Sequence, residues 1–449
     1  MMSLQDAALM VEGKVSGGNP DFTGVSTDTR TVRAGELFVA LRGEKFDGHD
    51  FLDQAKKSGA VAAMVDRKLR GKAPLPVVVV DDTKLALGAM AKGWRSRFAP
   101  VLIAVTGSNG KTTVKEMLAA ILRRNAGNDA VLATAGNLNN DIGLPLTLLR
   151  LRDEHRWCAI ELGMNHKGEI AYLADIAQPT VALVNNAQRE HLEFMNSVDE
   201  VAAENASVYD AVPQHGVAVV NADDAHAAVF RKAAGKRRVI DFGLESKALV
   251  SGRHTLKGLT SEIDIRTPAG EAHATLAIPG VHNVRNALAA AACAHAAGIG
   301  MKIIGEGLSA FRPYTGRLQI KTAIGGATVI DDTYNANPDS VRAAIDVLAA
   351  CPAPTVLVLG DMGEVGEKGS EFHREVGAYA RARKVTHLLA LGEATRHAVE
   401  AFGDGGRHFD TLEALVASIQ GRSILVKGSR FMRMERVISA LTGATTGGH

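Results

Sequence analysis

The residues best suited to ligand binding or catalysis lie between a short apolar run and a segment of helical periodicity. Residues 101–105 have the length of a buried strand, and Gly107 and Gly110 flank a tight turn that leads to Lys111. Glycine adopts backbone angles that other residues avoid, so backbone N–H groups can converge on an anion. Lysine neutralises that anion, and a threonine hydroxyl can hold Mg²⁺. The spacing predicts a nucleoside triphosphate site made of Gly107, Ser108, Asn109, Gly110, Lys111, Thr112 and Thr113.

This loop is tighter than the common phosphate-binding loop. The common form has a glycine five residues before the Gly-Lys pair, and that position here is Val105. The alternative is a glycine turn that carries only a surface lysine. The strand before the turn and the helix after it favour nucleotide binding. A Ras-like GTPase is disfavoured, because the chain has no Asn-Lys-x-Asp motif and no Asp-x-x-Gly after the loop.

Two further polar residues follow predicted strands. Ligands of open α/β sheets lie beyond the carboxyl ends of the strands. Glu161 follows the apolar run 157–160. A carboxylate at this end of a strand, next to a phosphate loop, is placed to bind Mg²⁺. Many strands end in glutamate, however, so this signal alone is weak. His191 follows the run 181–184 and is as compatible with a surface or core position as with a ligand role.

Dense polar turns occur at four other places, one of which, 360–364, follows the apolar run that ends at Leu359. The turn 137–143 is rich in asparagine, which can bind a polar ligand or cap a helix. The turn 331–338 repeats the pattern of a strand followed by polar residues. The turn 427–430 is cationic and suits an anionic substrate group.

Composition excludes several classes of protein. The 449 residues are 46% apolar and 22% charged, and the net charge of +2 argues against a nucleic-acid binder that depends on a basic surface. Cys158, Cys293 and Cys351 are far apart and favour core positions in a reducing cytosol. No signal peptide or membrane span is predicted, so a cytoplasmic protein is expected.

Alternating apolar runs and helical stretches predict an α/β protein of three domains. Residues 1–82 are predicted to form a small mixed α/β domain, and Asp81, Asp82 and Thr83 are predicted to cap a helix over residues 84–98. Residues 83–314 are predicted to form a central P-loop-type domain, with a parallel sheet and helices on both faces. Residues 315–449 are predicted to form a smaller, Rossmann-like domain, after a linker near 311–316.

Taken together, these motifs resemble those of the Mur ligases, nearly end to end. These ATP-dependent enzymes add amino acids to the UDP-linked muramoyl peptide of the bacterial cell wall. The loop 106–113, the His-Asn-x-x-Asn segment 282–286 and the Gly-Arg pair 316–317 look like nucleotide-binding segments of the family. Segments 136–143, 332–338 and 360–364 resemble the branch that adds D-alanyl-D-alanine to UDP-N-acetylmuramoyl-tripeptide.

The resemblance implies where ATP and Mg²⁺ bind. Asn283 and Asn286 are expected to face the adenine, and Asp332 the ribose. Asn137 and Asn335 are further expected ATP contacts. The implied Mg²⁺ ligands are Thr112, Glu161 and His191, and the implied catalytic set is Lys111, Glu161, His191 and Arg317.

The resemblance also implies the substrate contacts. The UDP-sugar end is expected at Ser26, Thr27, Asp28, Arg42, Gly43, Asp47 and Gly48. The peptide and the incoming dipeptide are expected at Asn139, Asn140, Asn337, Lys427, Ser429 and Arg430.

The chain departs from the family at one position. Many members carry a carbamylated lysine on a helix after the His-Leu-Glu segment, but Asn205 is the nearest counterpart here. A second Mg²⁺ held in that way is therefore in doubt, and Glu204 is a possible substitute.

The implied reaction passes through an acyl phosphate, which a closing third domain protects from water. A hinge is expected near residues 314–316, in a monomer that binds neither nucleic acid nor membrane. Two alternatives remain. Folylpolyglutamate synthesis shares the ATP loop but leaves the first 80 or so residues without a role. A nucleotide-gated binding protein without turnover would leave the near-complete catalytic set unexplained.

Overall fold

The computed structural model describes residues 1–69 and 71–444. Its first part contains β1 (Met2–Ser3), α1 (Leu4–Met10), β2 (Lys14–Ser16), β3 (Asp21–Phe22), β4 (Val25–Ser26), β5 (Leu37–Val39), α2 (Leu52–Lys57), β6 (Ala62–Asp66) and β7 (Val77–Val80). A five-stranded sheet has the order β2-β7-β6-β5-β4, in which β2 is antiparallel to β7 and the other pairs are parallel. Strands β1 and β3 form a separate antiparallel pair.

The central part begins with α3 (Thr83–Arg95). Of the predicted capping segment 81–83, Asp82 is the cap and Thr83 is already helical. The Asp82 carboxylate accepts hydrogen bonds from the backbone N–H groups of Lys84 (2.8 Å) and Leu85 (3.0 Å). The following elements are β8 (Val101–Thr106), α4 (Lys111–Ala126), β9 (Val131–Ala133), α5 (Gly143–Leu148), β10 (Trp157–Glu161), α6 (Glu169–Ala177), β11 (Val181–Val184), α7 (Val198–Ala206), β12 (Val217–Asn221), α8 (Ala227–Ala234) and β13 (Arg238–Phe242).

These strands form a six-stranded parallel sheet in the order β13-β12-β11-β8-β10-β9. Strand β8 lies in its interior and is apolar on both sides. Ile103 and Val105 pack into one hydrophobic layer, and Leu102 and Ala104 pack into the layer on the other face. Burial on both faces explains why the strand reads as a continuous apolar run. Because β8 is packed on both faces, the start of the loop that follows it is held in place.

A second, smaller sheet completes the central part. It consists of the antiparallel strands β14 (Ser251–Lys257), β15 (Thr260–Thr267) and β16 (Gly270–Leu276), followed by α9 (Val281–Ala296) and α10 (Met301–Ala310). This sheet is not among the elements predicted from the sequence. The signal was present, because Ile263 and Ile265 are buried while Asp264 between them is exposed, which is the alternation of a half-buried strand.

The last part contains β17 (Gln319–Thr322), β18 (Thr328–Asp332), α11 (Pro338–Ala349), β19 (Thr355–Gly360), α12 (Gly369–Ala382), β20 (His387–Leu391), α13 (Arg396–Phe402), β21 (Gly406–Phe409), α14 (Leu412–Ala417), β22 (Ser423–Lys427) and α15 (Glu435–Thr442). The sheet order is β17-β18-β22-β19-β20-β21, parallel except for β17. Short 3-10 turns lie at Gly48–Phe51, Ser207–Ala211, Gly366–Lys368 and Arg430–Met432. The predicted α/β class is confirmed.

Between residues 1 and 444, Arg70 aside, no helix is long and apolar enough to cross a membrane.

Candidate active site

The predicted phosphate loop joins β8 to α4 in a strained conformation that only glycine takes readily. Gly107 has a φ of +126° and Gly110 a φ of +81°. A Cβ atom at Gly107 would lie 2.9 Å from the backbone nitrogen of Asn186. That neighbour holds the loop in turn, because the side-chain oxygen of Asn186 accepts a hydrogen bond from the Asn109 N–H at 2.8 Å. The loop is therefore fixed before any ligand arrives.

The side chain of Lys111 folds back across this loop. Its ammonium donates hydrogen bonds to the carbonyl oxygens of Gly107 (2.6 Å) and Ser108 (3.1 Å) and to Glu190 Oε1 (2.9 Å). Burial alone would raise the pKa of Glu190, but the charges of Lys111 and His191 lower it below its usual value. Glu190 is not among the residues predicted for the site, although it stands next to His191 in the chain.

His191 lies between two carboxylates. Its Nδ1 atom is 2.7 Å from Glu364 Oε2, at an angle unfavourable for a hydrogen bond, and its Nε2 atom is 3.5 Å from Glu190 Oε1. Burial alone would lower the pKa of His191, but these carboxylates raise it to about 9. The role of His191 as a Mg²⁺ ligand stays a prediction.

Glu161 and Thr112 place two oxygen atoms side by side next to the phosphate loop, although the described residues contain no group of three or more His, Cys, Asp or Glu side chains arranged to hold a metal ion. Oε1 of Glu161 accepts hydrogen bonds from Thr112 Oγ1 (3.2 Å) and from the amide of Asn139 (2.7 Å). Its other oxygen, Oε2, is buried and has no hydrogen-bond partner. A buried carboxylate oxygen without a partner is costly unless a cation or donor binds it, and Mg²⁺ prefers such oxygen ligands.

The C-terminal part brings further charged groups to the loop. Arg317 Nη2 donates a long hydrogen bond to Thr112 Oγ1, with 3.5 Å between the nitrogen and the oxygen. The buried Lys427 ammonium donates to Asp332 Oδ2 (2.5 Å) and to the carbonyl of Asn335 (2.8 Å). Burial lowers the pKa of Lys427, against the opposing effect of Asp332.

Two cavities meet at the phosphate loop. The larger has a volume of about 660 Å³ and the smaller about 350 Å³, and both reach Asn109, Gly110, Arg317 and Lys427. The larger is also lined by the predicted residues Ser108, Lys111, Thr112, Asn137, Asn139, Asn140, Glu161, His191, Asn335 and Asn337. The smaller is also lined by Thr113, Asn283, Asn286 and Asp332.

Amide groups shape the smaller cavity. Asn286 donates a hydrogen bond to the side-chain oxygen of Asn283 (3.0 Å) and accepts one from Asn185 (3.0 Å). Both predicted asparagines are buried within this network, which orients their side chains.

The predicted residues of the N-terminal domain line neither cavity. Arg42 binds the carboxylates of Asp66 (2.6 Å) and Asp47, and Asp47 also accepts a hydrogen bond from the His49 N–H (3.0 Å). The Asp28 carboxylate pairs with Arg30 at 2.6 Å. Ser26 ends β4, Thr27 and Gly43 lie in loops, and Gly48 begins the 3-10 turn Gly48–Phe51. The substrate role of these four residues stays a prediction. Ser429 and Arg430, on the loop after β22, also line neither cavity.

The structure gives Asn205 and Glu204 structural contacts. Asn205 is buried and accepts a hydrogen bond from Thr106 Oγ1 at 2.6 Å. Glu204 accepts hydrogen bonds from the backbone N–H groups of Gly168 and Ile170, both at 2.9 Å. The suggestion that Glu204 replaces the carbamylated lysine stays a prediction, and in this structure its carboxylate binds the first turn of α6.

One arginine ties the central and C-terminal parts together over the site. Arg189 follows β11, and its guanidinium contacts Asp339 Oδ1 on α11 (2.6 Å) and Glu375 Oε2 on α12 (2.6 Å). The guanidinium also lies 5.1 Å from the ring centre of Phe372. We call this set the Arg189 latch. It holds the C-terminal part against the central part.

Replacing Arg189 with methionine should open the molecule. Removing one member of a half-buried charge pair costs about 2–5 kcal/mol, which shifts a closed–open equilibrium by a factor of roughly 30 or more. Small-angle X-ray scattering is expected to show a larger radius of gyration for Arg189→Met than for the unmodified chain. The control is Arg231→Met, which loses only a pair with Asp241 inside the central part. Identical scattering from all three proteins would contradict the latch.

Comparisons with known proteins agree with this geometry. Three family models match: the catalytic domain of the Mur ligase family at residues 21–95, the Mur ligase middle domain at 105–294, and the Mur ligase glutamate ligase domain at 316–430. The UDP-N-acetylmuramoyl-tripeptide--D-alanyl-D-alanine ligase of Escherichia coli (strain K12) is 41% identical over 98% of both chains. The structure of MurF from Acinetobacter baumannii has a TM-score of 0.92 at 34% identity and covers 99% of each chain. That of MurF from Thermotoga maritima in complex with ADP has a TM-score of 0.82 at 25% identity, over 93% of this chain and 96% of its own.

Proposed function

The chain belongs to the Mur ligase family, and we propose that it joins D-alanyl-D-alanine to UDP-N-acetylmuramoyl-tripeptide at the expense of ATP. The product is the UDP-linked muramoyl pentapeptide used for peptidoglycan. The observation that carries this proposal is the meeting of two cavities at one phosphate loop. Such a junction lets a nucleotide in the smaller cavity present its last phosphate to an acyl substrate in the larger cavity.

The reaction requires two successive displacements. The terminal carboxylate of the tripeptide attacks the γ-phosphorus of ATP, which forms an acyl phosphate and releases ADP. The amine of D-alanyl-D-alanine then attacks the acyl carbon, and phosphate leaves from the tetrahedral intermediate. Phosphoryl transfer depends on positioning and on charge neutralisation rather than on covalent chemistry by the protein.

The residues around the loop are suited to these tasks. Lys111 exchanges its contact with Glu190 for phosphate oxygens, and Arg317 adds a second positive charge from the C-terminal part. Asn283 and Asn286 offer oriented amide groups for the adenine. Closure held by the Arg189 latch excludes water from the acyl phosphate.

We include Mg²⁺ in the proposal, with Thr112 and Glu161 as the residues that hold it. The support is the unpartnered, buried Oε2 atom of Glu161 beside the Thr112 hydroxyl. A bound Mg²⁺ would neutralise charge on the phosphate oxygens during transfer.

We further propose a cytoplasmic monomer. A cytoplasmic location follows from the proposed substrates, because ATP and UDP-linked precursors are cytoplasmic metabolites. A monomer is sufficient, because residues of this one chain line both cavities.

Phosphate release tests the function directly. Purified protein with ATP, Mg²⁺ and UDP-N-acetylmuramoyl-tripeptide should release phosphate at a high rate only when D-alanyl-D-alanine is added. Mass spectrometry should show the tripeptide substrate gaining one dipeptide. A parallel reaction with folate and glutamate should give no product. Release that responds to another amine but not to D-alanyl-D-alanine would overturn the proposed acceptor.

A further inference from the structure

Arg317 is held in an unusual way for a half-buried cation. Its Nε atom is buried and has no hydrogen-bond partner, and its contact with Thr112 Oγ1 is long at 3.5 Å. In the described part of the chain, no carboxylate oxygen lies within 4.0 Å of its guanidinium. The neighbouring cations differ, because Lys111 contacts Glu190 and Lys427 contacts Asp332. The orientation of the Arg317 guanidinium must therefore depend on a group other than a carboxylate.

That group is the aromatic ring of Tyr334. The guanidinium carbon of Arg317 lies 4.0 Å from the ring centre, and the guanidinium carbon of Arg430 lies 5.8 Å from it. Guanidinium groups are attracted to the faces of aromatic rings, more strongly where water is excluded. The ring is half-buried and lines the larger cavity.

The backbone fixes the ring relative to the arginine. The Tyr334 N–H donates a hydrogen bond to the carbonyl of Gly316 at 3.2 Å, one residue before Arg317. Gly316 has a φ of +73°, and a Cβ atom there would lie 3.3 Å from the Tyr334 nitrogen. The turn that carries the arginine therefore packs directly on the residue that carries the ring.

We propose that Tyr334 is a positioning residue that aims Arg317 at the phosphates, an inference that rests on the proposed function. A carboxylate could hold the arginine equally well, but it would neutralise the charge and occupy the N–H groups that phosphate needs. A ring face holds the guanidinium without pairing its N–H groups with a carboxylate, and the Nε atom has no hydrogen-bond partner. Tyr334 acts through Arg317 and has no chemical step of its own.

A double-mutant cycle on ADP binding tests this proposal. Tyr334→Leu is expected to weaken ADP binding, measured by calorimetry, by about tenfold, as expected for loss of a partly desolvated cation–π contact. Tyr334→Phe keeps the ring and should bind ADP within about twofold of the unmodified chain. In an Arg317→Ala background, Tyr334→Leu should add no further loss, because there is no guanidinium left to aim.

Two results would overturn the proposal. One is a Tyr334→Leu effect of full size in the Arg317→Ala background, and the other is a Tyr334→Phe variant as weak as Tyr334→Leu. Thermal unfolding with each variant checks that the fold is intact, and Tyr334→Met replaces Tyr334→Leu if the latter does not fold. ADP binding needs neither the muramoyl substrate nor the dipeptide. If the binding cycle contradicts the role of Tyr334, the ligase assay can still support the proposed function. If the ligase assay fails, the binding cycle still tests the role of Tyr334.

Discussion

The Lys111→Met variant should lose roughly 10³-fold in kcat/KM for ATP, the size of effect expected when a preorganised charge at the transition state is removed. The Lys111 ammonium spans the phosphate loop and is the cation hydrogen-bonded to two of the loop's carbonyl oxygens. Methionine has a similar length and no charge, so the loop's glycines and its contacts with Asn186 should persist. The measurement is initial-rate kinetics with ATP varied and both other substrates saturating.

The matched control for that variant is Lys92→Met. Lys92 is a surface residue of α3 that pairs with Asp175 at 2.7 Å and lines neither cavity. Exposed pairs of this kind contribute little, so its rate should stay near that of the unmodified chain. Lys111→Met with full activity would remove the main catalytic charge from the proposed mechanism and revive a binding protein without turnover.

The Glu161→Gln variant should lose on the order of 10²-fold in kcat and should need more Mg²⁺ for half-maximal rate. Glutamine keeps the shape and can still accept the hydrogen bond of Thr112, but it lacks the negative charge that attracts the cation to the unpartnered Oε2 position. The experiment measures initial rates across a Mg²⁺ titration at fixed ATP.

Glu262→Gln serves as its control. Glu262 lies on β15 of the small antiparallel sheet, pairs with Lys257 on β14, and lines neither cavity. The control should show the Mg²⁺ dependence of the unmodified chain. An unchanged Mg²⁺ requirement in Glu161→Gln would count against Glu161 as a metal ligand, even if the rate fell.

The sequence predicted the parts of the site that depend on short stretches of chain. The phosphate loop needs a strand, a glycine turn and a helix within a few residues, and Gly107, Gly110 and Lys111 lie in that arrangement. The cap at Asp82 is equally local. Such features follow from backbone geometry and neighbouring residues, so a single sequence suffices.

The partners of these residues depend on the tertiary fold. Lys111 and Glu190 are 79 residues apart, and Arg189 and Glu375 are 186 apart. No periodicity relates such positions, and a surface glutamate has the same local sequence signal as a buried one. Glu204 shows the same limit, because its place in the chain suggested a metal ligand while the fold directs its carboxylate to the start of α6.

The Arg189 latch has a consequence for the timing of turnover. Products of a closed site leave only after it opens, so each cycle requires that one guanidinium part from two carboxylates and an aromatic ring. Water and salt ions compete for these charges once they separate, which eases opening at high ionic strength and slows it at low. The same contacts that protect the reactive intermediate thereby set a lower limit on how long ADP and the new peptide stay bound.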